Sequence, residues 1–141
     1  MAKFLSTDWK VVVAGTDLSR FADSVDTPME KDQVDVSGFG GTREFIPGIE
    51  DATITIEFLQ GFGTNEPHTV LYPLYNSGTT FVMYVQPFRA QGTSTANPVM
   101  GGTASMYQYN GGAAALNDAA KFSVDFKPAP GARFAWGTTA P

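Results

Sequence analysis

His68 is the only imidazole in the chain, and the chain has no cysteine. A serine-type hydrolase needs a histidine held between a nucleophile and an orienting acid. No nucleophile elbow accompanies His68, which follows Pro67 at the start of a predicted helix and reads as a surface or capping residue. A zinc site would have to complete its shell from carboxylates alone, an unusual donor set. Glu50 and Asp51 are adjacent carboxylates just before a predicted strand. Glycosidase chemistry needs two carboxyls across a cleft, whereas consecutive residues of an extended chain point to opposite faces, so the pair reads as an acidic turn. Asp23, Asp26, Glu30, Asp32 and Asp35 could offer oxygens to Ca²⁺, but their spacing does not match an EF-hand loop. The "GFGG" and "GFG" stretches at 38–41 and 61–63 lack the full glycine pattern and the following Lys-Ser/Thr of phosphate-binding loops. Tyr72, Tyr75, Tyr84, Tyr107, Tyr109 and Trp136 could include a sugar-stacking platform. They could equally be core or interface anchors, where Tyr and Trp are enriched. The residues nominate no catalytic, cofactor-binding or metal site, and the chain reads as something other than an enzyme.

Composition points the same way. The chain has 141 residues, of which 43% are hydrophobic and only 16% charged, against about a quarter charged in ordinary globular proteins. A normal apolar fraction with few charges is not the signature of disorder. It leaves neutral polar surface that loses its water easily, as a surface facing other subunits must. The length suits one domain. The formal net charge of -5 disfavours tight nucleic-acid binding, which needs several phosphate-neutralising groups. No apolar run approaches the roughly eighteen residues of a membrane span, and Met1–Trp9, with one lysine and no apolar stretch, does not read as a secretory leader. Charge is unevenly placed: between Glu66 and Asp118 the only formally charged side chain is Arg89.

Periodicity supplies the elements. Strands are expected at Trp9–Ala14, with Trp9, Val11 and Val13 on one face, and at Ala52–Phe58, with Ala52, Ile54, Ile56 and Phe58 inward. Lys121–Lys127 alternates without exception, with Phe122, Val124 and Phe126 inward. Thr80–Gln86 is apolar on both faces and predicts a central strand covered on both sides. A short strand is expected at Leu18–Phe21. Val99–Tyr109 is expected to contain a strand, broken or bulged near Gly101 and Gly102, with Ser105, Tyr107 and Tyr109 sharing a face. A helix is expected from about Glu66 to Asn76, started by Pro67 and stopped by Gly78, kinked or partly irregular near Pro73. Residues 22–51 are rich in glycine and acidic groups. Within them Gln33–Ser37 and Arg43–Ile46 predict two short strands around the "GFGG" turn, making a long hairpin or arm, the alternative being a surface loop; loops this long usually have a job. Residues 128–141 are rich in Pro, Gly, Ala and Thr, and Arg133–Trp136 could add a last short strand or dock on a neighbour. The expected fold is all-β with one accessory helix: a β-sandwich or partly closed barrel with a long inter-strand arm.

The stretch Phe45–Phe88 resembles the tail tube (major tail) proteins of long, non-contractile-tailed bacteriophages. It runs "FIPGIEDATITIEF", a glycine-containing loop, "HTVLYPLYNSG" and then "TTFVMYVQPF"; the later "KFSVDFKPAPG" is similar to that family's closing strand. The resemblance implies a virion tail subunit assembled in the host cytoplasm. Six copies would form a ring, and rings would stack into a hollow tube with the arm at about 22–51 bridging to neighbours. Implied partners are further copies of the chain, a tape measure protein, a tail terminator and baseplate proteins, with DNA passing without tight binding and no cofactor. Glu57 and Asp125, on polar strand faces, are candidates to line the lumen. Other virion β-domains, such as decoration or baseplate components, and carbohydrate-binding modules are the competing readings.

Overall fold

The computed structural model describes residues 9–89, 91–112, 116 and 119–141. The expected absence of a leader at Met1–Trp9 therefore falls, except for Trp9, outside the described residues. The elements in chain order are β1 (Lys10–Val13), β2 (Thr16–Asp17), β3 (Ala22–Asp26), β4 (Met29–Asp35), β5 (Phe45–Ala52), β6 (Ile54–Leu59), α1 (Pro67–Ser77), β7 (Phe81–Gln86), β8 (Val99–Met106), β9 (Lys121–Pro128) and β10 (Ala135–Gly137). A 3-10 turn at Ser19–Phe21 stands where a strand was expected.

One large sheet runs in the order β2-β1-β7-β8-β9-β6-β3, and β10 also pairs with β8. All its pairs are antiparallel. β8 is the hub. It pairs along Met100–Ala104 with β7, and with β9 and β10 through opposite ends, Ala104–Met106 and Val99–Gly101. A separate two-stranded sheet holds β4 and β5. The architecture is thus mostly β, unclosed and partly sandwich-like, with α1 as the accessory helix.

The alternation read from β6 and β9 is the phase observed. Ile54, Ile56, Phe58, Val124 and Phe126 are essentially fully buried, and Phe122 nearly so. The register opposes Ile54 to Phe126, Ile56 to Val124 and Phe58 to Phe122, and the Phe58 and Phe122 rings stack at 5.6 Å. Each such side chain contributes about 1.5–3 kcal/mol by leaving water. Val11, Val13, Leu18, Leu71, Met83, Val85, Met100 and Phe134 complete the same core.

Three expectations need correction. The expected strand from Ala52 divides at Thr53, where the chain passes from the small sheet to the large one. β7 is central in its hydrogen bonding, between β1 and β8, but only one face is covered: Phe81, Met83 and Val85 are buried while Val82 is exposed and Tyr84 half-buried. Gly101 and Gly102 make no bulge, since β8 keeps continuous register with β7 through both. Gly101 is required by close approach instead, because a Cβ there would meet the Met83 carbonyl oxygen at 2.2 Å and the Tyr84 Cα at 2.6 Å.

The helix stands close to its expected bounds, without an irregular turn at Pro73. It starts with Pro67, ends at Gly78 in the left-handed conformation (φ 68°), and runs as unbroken α-helix through Pro73. Pro73 removes one N–H from the ladder. Leu71, fully buried, with Val70 and Leu74 packed on the core, holds the turns on both sides of it in place.

Candidate assembly surfaces

β3 pairs with β6, and the same two chain directions continue as β4 paired with β5. The result is a long hairpin whose far half leaves the main sheet at Thr27–Pro28 and Thr53. The strands here are longer than the short pair expected from sequence. Every residue of β4 is exposed. Val34 stands opposite Ile46, and Phe45 opposite Asp35 on the other face. Ile49 is 79% exposed, and Phe39 at the tip is wholly so. Apolar side chains on both faces of a ribbon with no core beneath it mark a surface made to be covered. The tip is ordered by its own side chains: the Ser37 N–H donates to Asp35 Oδ1 (2.8 Å) and the Glu44 N–H to Ser37 Oγ (2.7 Å). The Ser37 hydroxyl and then its N–H hold the Asp35 carboxyl below its ordinary pKa.

The acidic residues of this region do not converge. Glu50 and Asp51 lie within β5 rather than in a turn. Arg133 grips Glu50 with two parallel bonds, Nε to Oε1 at 2.9 Å and Nη2 to Oε2 at 3.0 Å. That contact holds the Glu50 carboxyl below its ordinary pKa. Asp51 lies 3.9 Å from Lys127 Nζ, and Asp23 lies 3.4 Å from Lys121 Nζ. Asp26 is opposite Thr55, Glu30 is opposite Asp51, and Asp32 sits at a register shift. Among the described residues no three His, Asp or Glu side chains gather where a metal ion could be held.

His68 joins an aromatic cluster. Its Nδ1 lies 2.8 Å from the Tyr109 hydroxyl, and its ring stacks on Tyr72 at 5.3 Å, 7° from parallel. Phe62 leans on it at 4.9 Å. Gln60 Nε2 donates to the same Tyr109 oxygen (3.1 Å) and to the Gly111 carbonyl (2.8 Å). Burial raises the Tyr109 phenol pKa. The partner of His68 is thus a phenol, not a serine or a carboxylate, and the contact ties the first turn of α1 to the segment after β8. Tyr72, Tyr75 and Phe62 remain partly exposed. Tyr107 and Trp136 are exposed elsewhere, and Tyr84 lies under Lys10 Nζ at 5.8 Å. Of the six aromatics, Tyr72 and Tyr75 gather on Tyr109.

Glu57 and Asp125 fall on one face, as the strand period requires. Asp125 is opposite Thr55, whose hydroxyl donates to it at 2.8 Å, and Glu57 is opposite Ser123 and Ser24. This outward face of β3, β6 and β9 also carries Asp26, Lys121 and Lys127.

Asn97 had no place in the sequence reading. It is completely buried, accepts the Phe88 N–H at 2.9 Å, and donates to the carbonyls of Phe88, Gln91 and Gly92 at 3.0–3.2 Å. One side chain thereby satisfies the turn that links β7 to β8. The Asn-Pro dipeptide is the signal that could have found it.

Among the described residues no helix is long and apolar enough to cross a membrane. No protein-family model matches the chain, and no curated protein matches it. Solved structures do. A chain from the virion of a native gene transfer agent particle superposes with a TM-score of 0.67 at 14% identity, covering 94% of this chain and 96% of that one. A chain from the tail of an empty gene transfer agent particle, refined with helical C6 symmetry, gives 0.64 at 14% identity over 94% of each. A chain from the sheath/tube terminator of an extracellular contractile injection system gives 0.68 at 15% identity, over 96% of this chain and 97% of that one. What this chain shares with all three, nearly end to end, is the fold.

Proposed function

We propose that the chain is a structural subunit of a virion tail or a related injection apparatus, a single tail-tube-like domain that works by self-association rather than catalysis. The carrying observation is the long β4–β5 hairpin, which leaves apolar side chains uncovered on both faces among its charged ones, on a fold found nearly whole in tail and terminator assemblies. A ribbon that cannot bury its own side chains gains by laying them on a neighbour. If the receiving face differs from the ribbon, the contact is heterologous, and such contacts close into rings or propagate into filaments.

In its finer form the reading is a ring of six subunits, stacked into a hollow tube that encloses a tape measure protein, meets terminator and baseplate proteins at its ends, and passes DNA without gripping it. The C6 symmetry of one related tail supports the ring number. Similarity to a contractile system's terminator as well as to tails means the fold does not choose between tube and terminator roles. Negative-stain images of the concentrated protein test the proposal: rings or stacked tubes are expected, and a persistent monomer across concentration and salt would overturn it.

A further inference from the structure

The hairpin leaves the main sheet at a narrow junction. The backbone bond from the Thr53 N–H to the Pro28 carbonyl (3.1 Å) spans it, and Pro28 has no N–H with which to return one. Beyond it, β4 is exposed throughout. A ribbon joined this way can swing unless side chains hold its root.

Two cations do so from opposite faces. Consecutive strand residues point to opposite sides, so Glu50 and Asp51 present one carboxylate to each face of the root. Arg133 takes Glu50 in the bidentate grip described above. Lys127 takes the other face, donating to Thr53 Oγ1 at 2.8 Å and lying 3.9 Å from Asp51. Both cations stand on fixed backbone. Lys127 is in β9. Arg133 follows a turn closed by the Ala132 N–H to the Ala129 carbonyl (2.8 Å), is tied to β8 by the Ala129 N–H to the Thr103 carbonyl (3.1 Å), and precedes the fully buried Phe134.

Exposed ion pairs add little to global stability. Their effect here is directional: a planar guanidinium fork fixes orientation as well as distance. We propose that Arg133 and Lys127 are positioning residues that set the direction in which the β4–β5 hairpin leaves the sheet, one holding each face. The consequence for assembly rests on the reading of that hairpin as the contact between subunits.

The test uses the full chain, which has no native cysteine, with spin labels at Phe39→Cys on the tip and Ser123→Cys on β9. Pulsed EPR of the dilute monomer should give a narrow distance distribution. Arg133→Ala with Lys127→Ala should broaden or shift it while the thermal melt stays close to that of the parent. Glu50→Gln approaches the same contact from the hairpin side and leaves both cations in place, so it serves if the double variant does not fold. The swap Glu50→Arg with Arg133→Glu should restore a narrow distribution, a rescue that a merely structural role would not give. An unchanged distribution in the folded variants overturns the positioning role, whatever assembly does. In parallel, the polymerisation lag should lengthen about fivefold, the ratio a weak surface contact can supply. A broadened distribution with unaltered polymerisation would uphold the positioning and refute the hairpin as the assembly contact.

Discussion

At the scale of single residues, the core positions carry the sharpest expectations. Ile56 and Phe122 come from neighbouring strands and are both in the buried cluster. Truncating either to alanine should cost about 2–5 kcal/mol, the lost transfer energy plus a cavity. Urea titration of Ile56→Ala and Phe122→Ala reads this directly, and parental midpoints would show that these faces are not the core. Gly101→Ala should destabilise although it adds one carbon, because that carbon meets the backbone of β7 rather than a movable side-chain end. Glu50 gives a pH prediction with a definite sign. Its folded pKa lies below the unfolded value, chiefly through the Arg133 hydrogen bonds. The contribution is therefore present above the unfolded carboxylate value of about 4.3 and lost as pH falls through the lower folded value. Glu50→Gln should lower stability slightly above that window, neutral pH included, flatten the acid limb within it, and change little below it.

At the scale of elements, the hairpin separates folding from assembly. Its exposed strands touch little of the core, so deleting Val36–Arg43 should leave a monomer with a parental melt that forms no rings or tubes. Normal tube growth by this variant, followed by light scattering and electron microscopy, would remove the hairpin from the assembly mechanism. The helix illustrates how packing overrides local preference. The sequence allows a kink or an irregular turn at Pro73, and the α-helical assignment runs unbroken through it, with buried Leu71 and the flanking Val70 and Leu74 packed on the core on both sides. β7 shows the reverse. Its doubly apolar sequence predicts cover on both faces, and the subunit covers only one, leaving Val82 exposed and Tyr84 half-buried.

At the scale of the whole molecule, charge is the controlling quantity. A ring of six copies at -5 each would carry -30 before burial and neutralisation. Phosphate binding grows with the number of neutralised contacts, so such a ring should not hold DNA, and screening over about 8 Å at physiological ionic strength limits the repulsion. Glu57, Asp125 and Asp26 share one strand face with Lys121 and Lys127, so these five charges leave that face only weakly acidic, and a lining on that face would neither grip DNA nor repel it strongly. Assembled tubes titrated with short duplex DNA at low salt should show no saturable binding. Tight, salt-sensitive binding would mean the lumen is basic and the face assignment wrong.

Much of this was legible before any coordinates. Strict alternation in Ala52–Phe58 and Lys121–Lys127 specified strand phase, because a two-residue period admits only one buried face. Pro67 and Gly78 bounded the helix through local backbone chemistry that needs no partner. The absence of cysteine and the lone histidine already removed whole classes of chemistry. Other features depend on residues far apart in the chain. The pairing of Arg133 with Glu50, the contact of His68 with the Tyr109 hydroxyl, and the close approach that demands Gly101 join segments distant in sequence, whereas the stack of His68 on Tyr72 lies within one helix. Asn97 is buried by the turn it organises, and nothing in its neighbours' hydrophobicity foretells that. Local periodicity encodes which side of an element is wet; which elements meet, and so which polar groups find partners, is set by the global arrangement of strands.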